Sequence, residues 1–196
     1  MWTIPNMLSL GRLAVVPFIV ALIWPGIESR TTCFWAMAIY AVGGLTDVFD
    51  GMLARRINQV TVLGKFLDPL SDKLFYLITM IALLQLQGPR IPFWVVMVVL
   101  TRELAITGLR TIAMSEGIVI AAGEAGKMKT LAGSLGMLAL LIHYPYMINF
   151  GFFSAIIDFH IVGLWVTYIS VALSLTSGVD YMRGFFTAAR QRSAPS

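Results

Sequence analysis

Charged residues are scarce in this chain: 12% of its 196 residues are Asp, Glu, Lys or Arg, whereas 58% are hydrophobic. Soluble domains carry about 25% charged residues, so this composition and a mean hydropathy of +0.83 exclude an ordinary soluble domain. We therefore predict an integral membrane protein with a single membrane domain over residues 1–196, because no hydrophilic block is long enough to fold separately. Only the tail, residues 189–196, is expected to be disordered.

Cysteine and histidine are also rare, with one Cys and two His. The lone Cys33 excludes a disulfide within the chain and a cysteine-rich metal site, and we expect it to be a small apolar residue in a helix. Positive charges exceed negative ones, but apolar segments separate them. They form no continuous basic stripe, so we expect no nucleic-acid partner.

Long apolar runs indicate membrane-spanning helices, each of which needs roughly 20 residues to cross the hydrocarbon of a bilayer. Six fit the chain, at residues 8–25, 33–55, 64–87, 92–114, 127–146 and 158–186. Residues 147–157 are expected to lie in the membrane interface before the last helix, which is expected to begin at Asp158. The predicted fold class is therefore all-α, with six transmembrane helices.

The distribution of Lys and Arg predicts the orientation of these helices. Six crossings put both termini on one side of the membrane, and cytoplasmic loops carry the excess of Lys and Arg. With cytoplasmic termini, only Arg30 and Arg90 lie outside. The others lie inside: Arg12, Arg55, Arg56, Lys65, Lys73, Arg102, Arg110, Lys127, Lys129, Arg183, Arg190 and Arg192.

Four aspartates interrupt the second and third predicted helices, in the stretch DVFDGMLARRINQVTVLGKFLDPLSD of residues 47–72. Asp47 and Asp50 are one turn apart, and so are Asp68 and Asp72, so each pair shares a helix face. Because the link between these helices is short, the four carboxylates can converge at the cytoplasmic end. Converging carboxylates repel one another unless a cation lies between them, and oxygen-only ligands favour one or two hard cations such as Mg²⁺ or Mn²⁺.

Two neighbouring residues suit a phosphate ligand. Gly51 leaves room for a close approach, and Arg55 carries a planar guanidinium group that matches phosphate. The alternative interpretation is a set of interfacial aspartates that pair with nearby Arg and Lys side chains.

The same residues follow the pattern D-x2-D-G-x2-A-R-x8-G-x3-D-x3-D and, at all eight specified positions, resemble the signature of the CDP-alcohol phosphatidyltransferases. The resemblance implies transfer of a phosphatidyl group from CDP-diacylglycerol to the hydroxyl of an alcohol, with release of CMP. It implies two divalent cations held by Asp47, Asp50, Asp68 and Asp72, and it makes Asp72 the catalytic base.

The resemblance extends to the residues that hold the nucleotide. It implies that Gly51, Arg55 and Thr61 bind the CDP-lipid. The start of the chain, IPNMLSLGR, is similar to the family pattern I-P-N-x-L-T-x-x-R, with Ser9 replacing the threonine, and this adds Asn6 to the CDP-lipid site. A homodimer in the bacterial cytoplasmic membrane is also implied.

Residues 101–130 indicate the acceptor. They carry four cations, Arg102, Arg110, Lys127 and Lys129, and an unpaired charge within a membrane helix is costly, so each needs a partner or a ligand. Glu103 and Arg110 are seven residues apart and are expected to be able to pair. The R-E-L, L-R and G-K-x-K-T elements of this stretch resemble those of the family members that make phosphatidylglycerol phosphate, which implies sn-glycerol 3-phosphate as acceptor.

Other interpretations remain open. Within the family, the acceptor could instead be phosphatidylglycerol, as in cardiolipin synthesis, or an inositol compound. The four cations could anchor the chain to anionic lipid head groups. Outside the enzymes, the carboxylates could line the path of a divalent-cation transporter, although such a path is expected near the middle of the bilayer.

Overall fold

The structure is a computed structural model that describes residues 4–57, 62–85, 90–117 and 124–193. Within these ranges, the side chains of residues 4–6, 8, 47–57, 62–69, 124, 125, 127 and 191–193 are outside the description. Six helices lie in the described ranges: α1 (Ile4–Leu22), α2 (Arg30–Ile57), α3 (Val62–Ala82), α4 (Phe93–Ser115), α5 (Glu124–Ile142) and α6 (Phe159–Ser193). Each overlaps one of the six predicted helices.

Local signals explain where several of these helices begin and end. Before α2, the Ser29 amide donates to Thr32 Oγ1 at 2.7 Å and the Thr32 amide donates to Ser29 Oγ at 3.2 Å, so the two residues cap each other. After α4, Gly117 adopts a φ of 64°, the left-handed conformation that commonly follows a helix. Asp158 precedes α6, and its Oδ1 accepts from the His160 amide at 2.9 Å.

The segment before α6 is a β-hairpin, which was not predicted. Strands β1 (Pro145–Asn149) and β2 (Ser154–Asp158) pair antiparallel, with Met147 opposite Ile156. The all-α prediction therefore has to be corrected to a mostly helical fold with one hairpin. The Tyr, Ile and Phe residues of this segment favour strands, and the turn forms around Gly151, whose φ is 85°.

The last helix is longer than predicted. It begins at Phe159, one residue after the expected start, and continues to Ser193. It therefore includes residues 189–193 of the tail that was expected to be disordered, where Ala189 and Arg190 both favour helix.

The described residues divide into two compact units, Met1–Ile91 with Met137–Leu164 and Pro92–Gly136 with Trp165–Ser196. In the first unit, α1 packs against both α2 and α3. Its core includes Ile19, Met80 and Leu140. Cys33 is fully buried within α2 of this core, as predicted, and also accepts a hydrogen bond from Arg90 at 3.2 Å.

One helix among the described residues is long and apolar enough to cross a bilayer, judged by length and composition, and it covers Phe159–Arg190. Two shorter apolar helical stretches cover Ser9–Leu22 and Met128–Ile142. Membrane crossing by the remaining helices, and the cytoplasmic orientation of the termini, stay predictions.

Candidate active site

The four aspartates lie on two helices of the first unit, α2 and α3, which contact each other near these residues. Asp47 and Asp50 belong to α2, and Asp68 and Asp72 belong to α3. All four lie between the contact of the two helices and the link that joins them.

That contact is made by Gly43 of α2 and Phe75 of α3. A Cβ atom added to Gly43 would lie 2.9 Å from Phe75 Cζ, so the absence of a side chain lets the helices approach. The Phe75 ring also stacks on Tyr40, with ring centroids 4.6 Å apart and planes inclined by 13°. Asp47 follows Gly43 by one turn, and Asp72 precedes Phe75 by one turn, so this contact between the helices lies beside both aspartates.

Asp72 is the aspartate of this set whose side chain the structure describes. It is exposed, whereas the preceding Ser71 is completely buried. Asp72 also takes part in interactions within the protein. Its exposed position is one that a substrate hydroxyl group can reach, which a general base requires.

The remaining residues of the predicted metal and nucleotide sites are placed by backbone alone or lie outside the description. Asn6 belongs to α1, and Gly51 and Arg55 belong to α2, all without a described side chain. Thr61 lies outside the described residues. Among the side chains that are described, no three His, Cys, Asp or Glu residues form a group able to hold a metal ion. The metal site on Asp47, Asp50, Asp68 and Asp72 therefore stays a prediction, with donors of the oxygen-only type that Mg²⁺ and Mn²⁺ prefer.

The N-terminal motif contributes two buried polar residues to α1. Ser9 and Arg12 are 3% and 4% exposed, and both are engaged in contacts. Arg12 was predicted to lie at the cytoplasmic face of the membrane, and that placement stays a prediction. Its burial within the first unit indicates that it also packs α1 against its neighbours, because a guanidinium group is rarely buried without partners.

A second polar cluster lies in the second unit and is centred on Glu103 of α4. Glu103 Oε1 accepts hydrogen bonds from Arg102 Nη1, at 2.7 Å, and from Lys129 Nζ. These three side chains are only 11%, 17% and 18% exposed for Arg102, Glu103 and Lys129, respectively. Among the described side chains, one carboxylate therefore holds two cations.

Helix α6 completes this cluster. Arg102 Nε donates to the Ser174 carbonyl oxygen at 3.0 Å, and Arg102 Nη2 donates to Ser177 Oγ at 3.3 Å. Ser170 Oγ donates to the Lys129 carbonyl oxygen at 2.8 Å. Roles for Ser174 and Ser177 could not be predicted from the sequence, because their partner Arg102 lies more than 70 residues away along the chain.

Bound in this way, Arg102 retains donors for an anion. Each of its terminal nitrogens makes one bond to the protein and has a second N–H. A phosphate can therefore be accepted by Arg102 without breaking its contact to Glu103.

Arg110 does not pair with Glu103, so that expectation was wrong. Its guanidinium carbon instead lies 5.6 Å from the centre of the Tyr181 ring, a cation–π contact between α4 and α6. Glu103 instead forms an ion pair with Lys129 of α5. Lys127 lies on the first turn of α5, and its side chain is outside the description.

Comparison with known proteins agrees with these features. Residues 2–176 match the family described as CDP-alcohol phosphatidyltransferase. A Bacillus subtilis protein named CDP-diacylglycerol–glycerol-3-phosphate 3-phosphatidyltransferase is 37% identical over 191 residues, which cover 92% of this chain and 94% of that protein. A Haemophilus influenzae protein of the same name is 31% identical over 187 residues, covering 93% of this chain and 92% of that protein.

Another relative carries a different name. A Streptomyces coelicolor protein named cardiolipin synthase (CMP-forming) is 41% identical, but over 102 residues that cover 52% of this chain and 46% of that protein. The family match, by contrast, runs through both compact units. The chain belongs to the CDP-alcohol phosphatidyltransferase family and is an enzyme of this class.

Proposed function

We propose that this enzyme transfers the phosphatidyl group of CDP-diacylglycerol to sn-glycerol 3-phosphate, forming phosphatidylglycerol phosphate and CMP. The observation that carries the proposal is the close approach of α2 and α3 at Gly43 and Phe75, one turn from Asp47 and Asp72. The relatives from Bacillus and Haemophilus, whose names specify this reaction, match over more than nine tenths of the chain.

In this reaction, the acceptor hydroxyl oxygen attacks the lipid-side phosphorus of CDP-diacylglycerol. The bond from that phosphorus to the bridging oxygen breaks, and CMP leaves with this oxygen. Asp72 takes the proton of the attacking hydroxyl, a role that suits its exposed position on α3. Asn6, Gly51, Arg55 and Thr61 hold the cytidine diphosphate group.

Asp47, Asp50 and Asp68, together with Asp72, hold two divalent cations, Mg²⁺ or Mn²⁺. When bound, such ions neutralise the charge of a pyrophosphate and stabilise a departing phosphate. The chain itself supplies oxygen donors on two helices that contact each other at Gly43 and Phe75.

The acceptor phosphate binds to Arg102, Arg110, Lys127 and Lys129. Support comes from the two cations, Arg102 and Lys129, that converge on Glu103 and from the second N–H on each terminal nitrogen of Arg102. Charged donors form stronger hydrogen bonds to phosphate than neutral donors do, so this cluster favours a phosphorylated acceptor over a neutral alcohol such as inositol.

The enzyme acts in the cytoplasmic membrane of a bacterium, with six membrane-spanning helices, cytoplasmic termini and a cytoplasmic site, and it forms a homodimer. Besides the length and composition of α6, support comes from large apolar side chains that are more than half exposed, such as Phe18, Phe93 and Trp165. Exposed apolar surface on this scale requires an apolar environment.

The proposal is tested by measuring CMP release by the purified protein in detergent with CDP-diacylglycerol and Mg²⁺. Glycerol 3-phosphate, glycerol, inositol, inositol phosphate and phosphatidylglycerol are supplied separately. We expect release with glycerol 3-phosphate alone, and loss of release when EDTA removes the metal. Comparable release with glycerol would contradict the phosphate-binding role of the basic cluster.

Cardiolipin synthesis is the second candidate, because the Streptomyces relative is 41% identical over half of this chain. In that reaction the acceptor would be phosphatidylglycerol. CMP release with phosphatidylglycerol, and none with glycerol 3-phosphate, would replace the first proposal by this one.

A further inference from the structure

The β-hairpin between α5 and α6 exposes a continuous set of apolar side chains. On one face, Met147 and its cross-strand partner Ile156 are 74% and 71% exposed. At the tip, Phe152 is 100% exposed, and the neighbouring Phe150 and Phe153 rings stack with centroids 5.0 Å apart. Such a surface is unfavourable in water, so another apolar phase has to cover it.

The hairpin offers no charged side chain for ion pairing before its last residue, Asp158. No Asp, Glu, Lys or Arg occurs from Tyr144 to Ile157. Recognition of this surface therefore depends on apolar and aromatic contacts.

The backbone of the hairpin excludes the interior of a bilayer. A two-stranded sheet leaves the outward N–H and C=O groups of both strands unpaired, and these groups need water or another hydrogen-bonding partner. At the boundary between lipid head groups and acyl chains, the apolar side chains can contact lipid while the unpaired backbone groups form hydrogen bonds with water. Aromatic residues are enriched in that region for the same reason.

The surroundings of the hairpin fit this boundary. Strand β2 ends at Asp158, and α6, the helix long and apolar enough to cross a bilayer, begins at the next residue. At the base of the hairpin, the Arg30 guanidinium group lies 5.0 Å from the centre of the Tyr146 ring and donates to the Pro145 carbonyl oxygen at 3.1 Å. A cation held between aromatic rings is suited to the head-group region.

The distance along α2 agrees with a bilayer. Arg30 begins α2, and Asp47 follows 17 residues later in the same continuous helix. At 1.5 Å per residue, these positions are about 26 Å apart, close to the hydrocarbon thickness of roughly 30 Å. The hairpin therefore contacts the end of α2 that is opposite to the aspartates.

We propose that the hairpin of residues 145–158 is a membrane-interface anchor that inserts Met147, Ile156 and the Phe150–Phe153 tip into the lipid surface opposite the catalytic aspartates. The inference rests on the membrane location given under the proposed function. Bilayer lipid covers the exposed apolar side chains of the hairpin, and the contacts of Arg30 join the hairpin to the start of α2.

The test depends on the burial of Cys33, the single native cysteine. Because Cys33 is fully buried, a cysteine placed at Phe152 can be labelled selectively with the fluorophore NBD. The labelled Phe152→Cys protein is reconstituted into vesicles of phosphatidylcholine and phosphatidylglycerol that contain nitroxide lipids. The nitroxide is either near the head group or deep in the acyl chain.

Two matched positions calibrate the depth. Ile169→Cys lies about 15 Å along α6 from Phe159 and is expected to report the bilayer interior. Ser115→Cys lies at the exposed end of α4, one residue beyond the predicted span, and is expected to report the head-group region. We expect the ratio of shallow to deep quenching to exceed one at Phe152→Cys and at Ser115→Cys, and to fall below one at Ile169→Cys.

Three results would overturn the proposal. They are an unquenched label at Phe152→Cys, a label there that the deep nitroxide quenches more strongly, and, in a separate unlabelled sample treated with an oxidant, efficient disulfide cross-linking of Phe152→Cys between two copies. An unquenched Ile169→Cys would overturn the membrane location as well. Since quenching needs no turnover, a failure of the proposed reaction is distinguished by the separate assay of CMP release.

Discussion

The close contact between Gly43 and Phe75 can be tested by adding a single methyl group. In Gly43→Ala, the new Cβ would lie 2.9 Å from Phe75 Cζ and 3.3 Å from Phe75 Cε2. Phe75 is 3% exposed and is stacked on Tyr40, so its ring has little room to move. The Phe75 ring, or the helices α2 and α3 themselves, then have to shift by several tenths of an ångström.

The cost follows from overpacking of a well-packed contact, about 1–3 kcal/mol. In a chain of this size, 1 kcal/mol corresponds to a change in the unfolding midpoint of roughly 2–4 °C. We therefore expect Gly43→Ala to lower the midpoint in detergent by about 2–12 °C. Activity should fall by up to about 100-fold, because displacement of reacting groups by about 1 Å has that effect.

Gly44→Ala is the matched control. It lies next to Gly43 in the same helix, and an added Cβ would meet nothing within 4 Å. Both substitutions raise helix propensity by the same amount, about 1 kcal/mol, so the difference in stability between the two variants reports the contact with Phe75.

Thermal unfolding and CMP release are measured for Gly43→Ala, Gly44→Ala, Phe75→Leu and the double variant Gly43→Ala/Phe75→Leu. We expect the double variant to recover part of the activity lost in Gly43→Ala, because leucine leaves space for the methyl group. The reasoning would be refuted if Gly43→Ala and Gly44→Ala were equal in both stability and activity.

Three further predictions concern other contacts. Asp72→Asn should lower kcat by roughly 10²–10⁴-fold through loss of the base while CDP-diacylglycerol still binds, and near-normal turnover would refute the base assignment. Lys129→Ala should raise the KM for glycerol 3-phosphate by roughly 10-fold, because a charged hydrogen bond is lost, and should change the KM for CDP-diacylglycerol less. Equal changes in the two KM values, or the same effect in the exposed control Arg183→Ala, would argue against an acceptor pocket. Gly163→Ala should lower the free energy of unfolding by about 1–3 kcal/mol, because its Cβ would lie 2.9 Å from the Leu140 amide nitrogen. In the control Gly108→Ala the added Cβ meets nothing within 4 Å, so equal unfolding midpoints for the two variants would contradict the close contact.

The helices could be predicted from the sequence because apolar runs and helix-ending residues are local signals. Pro25, Gly117 and Asp158 each lie near a helix boundary that the structure contains. The hairpin was missed because its apolar composition was interpreted as an interfacial segment. A run of Tyr, Met and Ile followed by Asn149, Gly151 and further β-branched residues is nevertheless a signal for a hairpin.

The polar partners were harder to predict than the helices. Glu103 could be placed on the same helix face as Arg110 by periodicity, but its ion pair with Lys129 depends on how α4 and α5 pack. The contacts of Arg102 with Ser174 and Ser177 likewise depend on the position of α6. The aspartate pattern is the opposite case, since its spacing within two adjacent helices carries the prediction without tertiary information.

The most direct test of the central claim follows radiolabelled glycerol 3-phosphate into lipid. Purified enzyme is supplied with CDP-diacylglycerol and Mg²⁺, and label in the organic phase is compared with CMP in the aqueous phase. The account predicts equal amounts of labelled phosphatidylglycerol phosphate and CMP, with both products lost in Asp72→Asn. Release of CMP without labelled lipid would contradict it, because the phosphatidyl group would then have been transferred to water or to another acceptor.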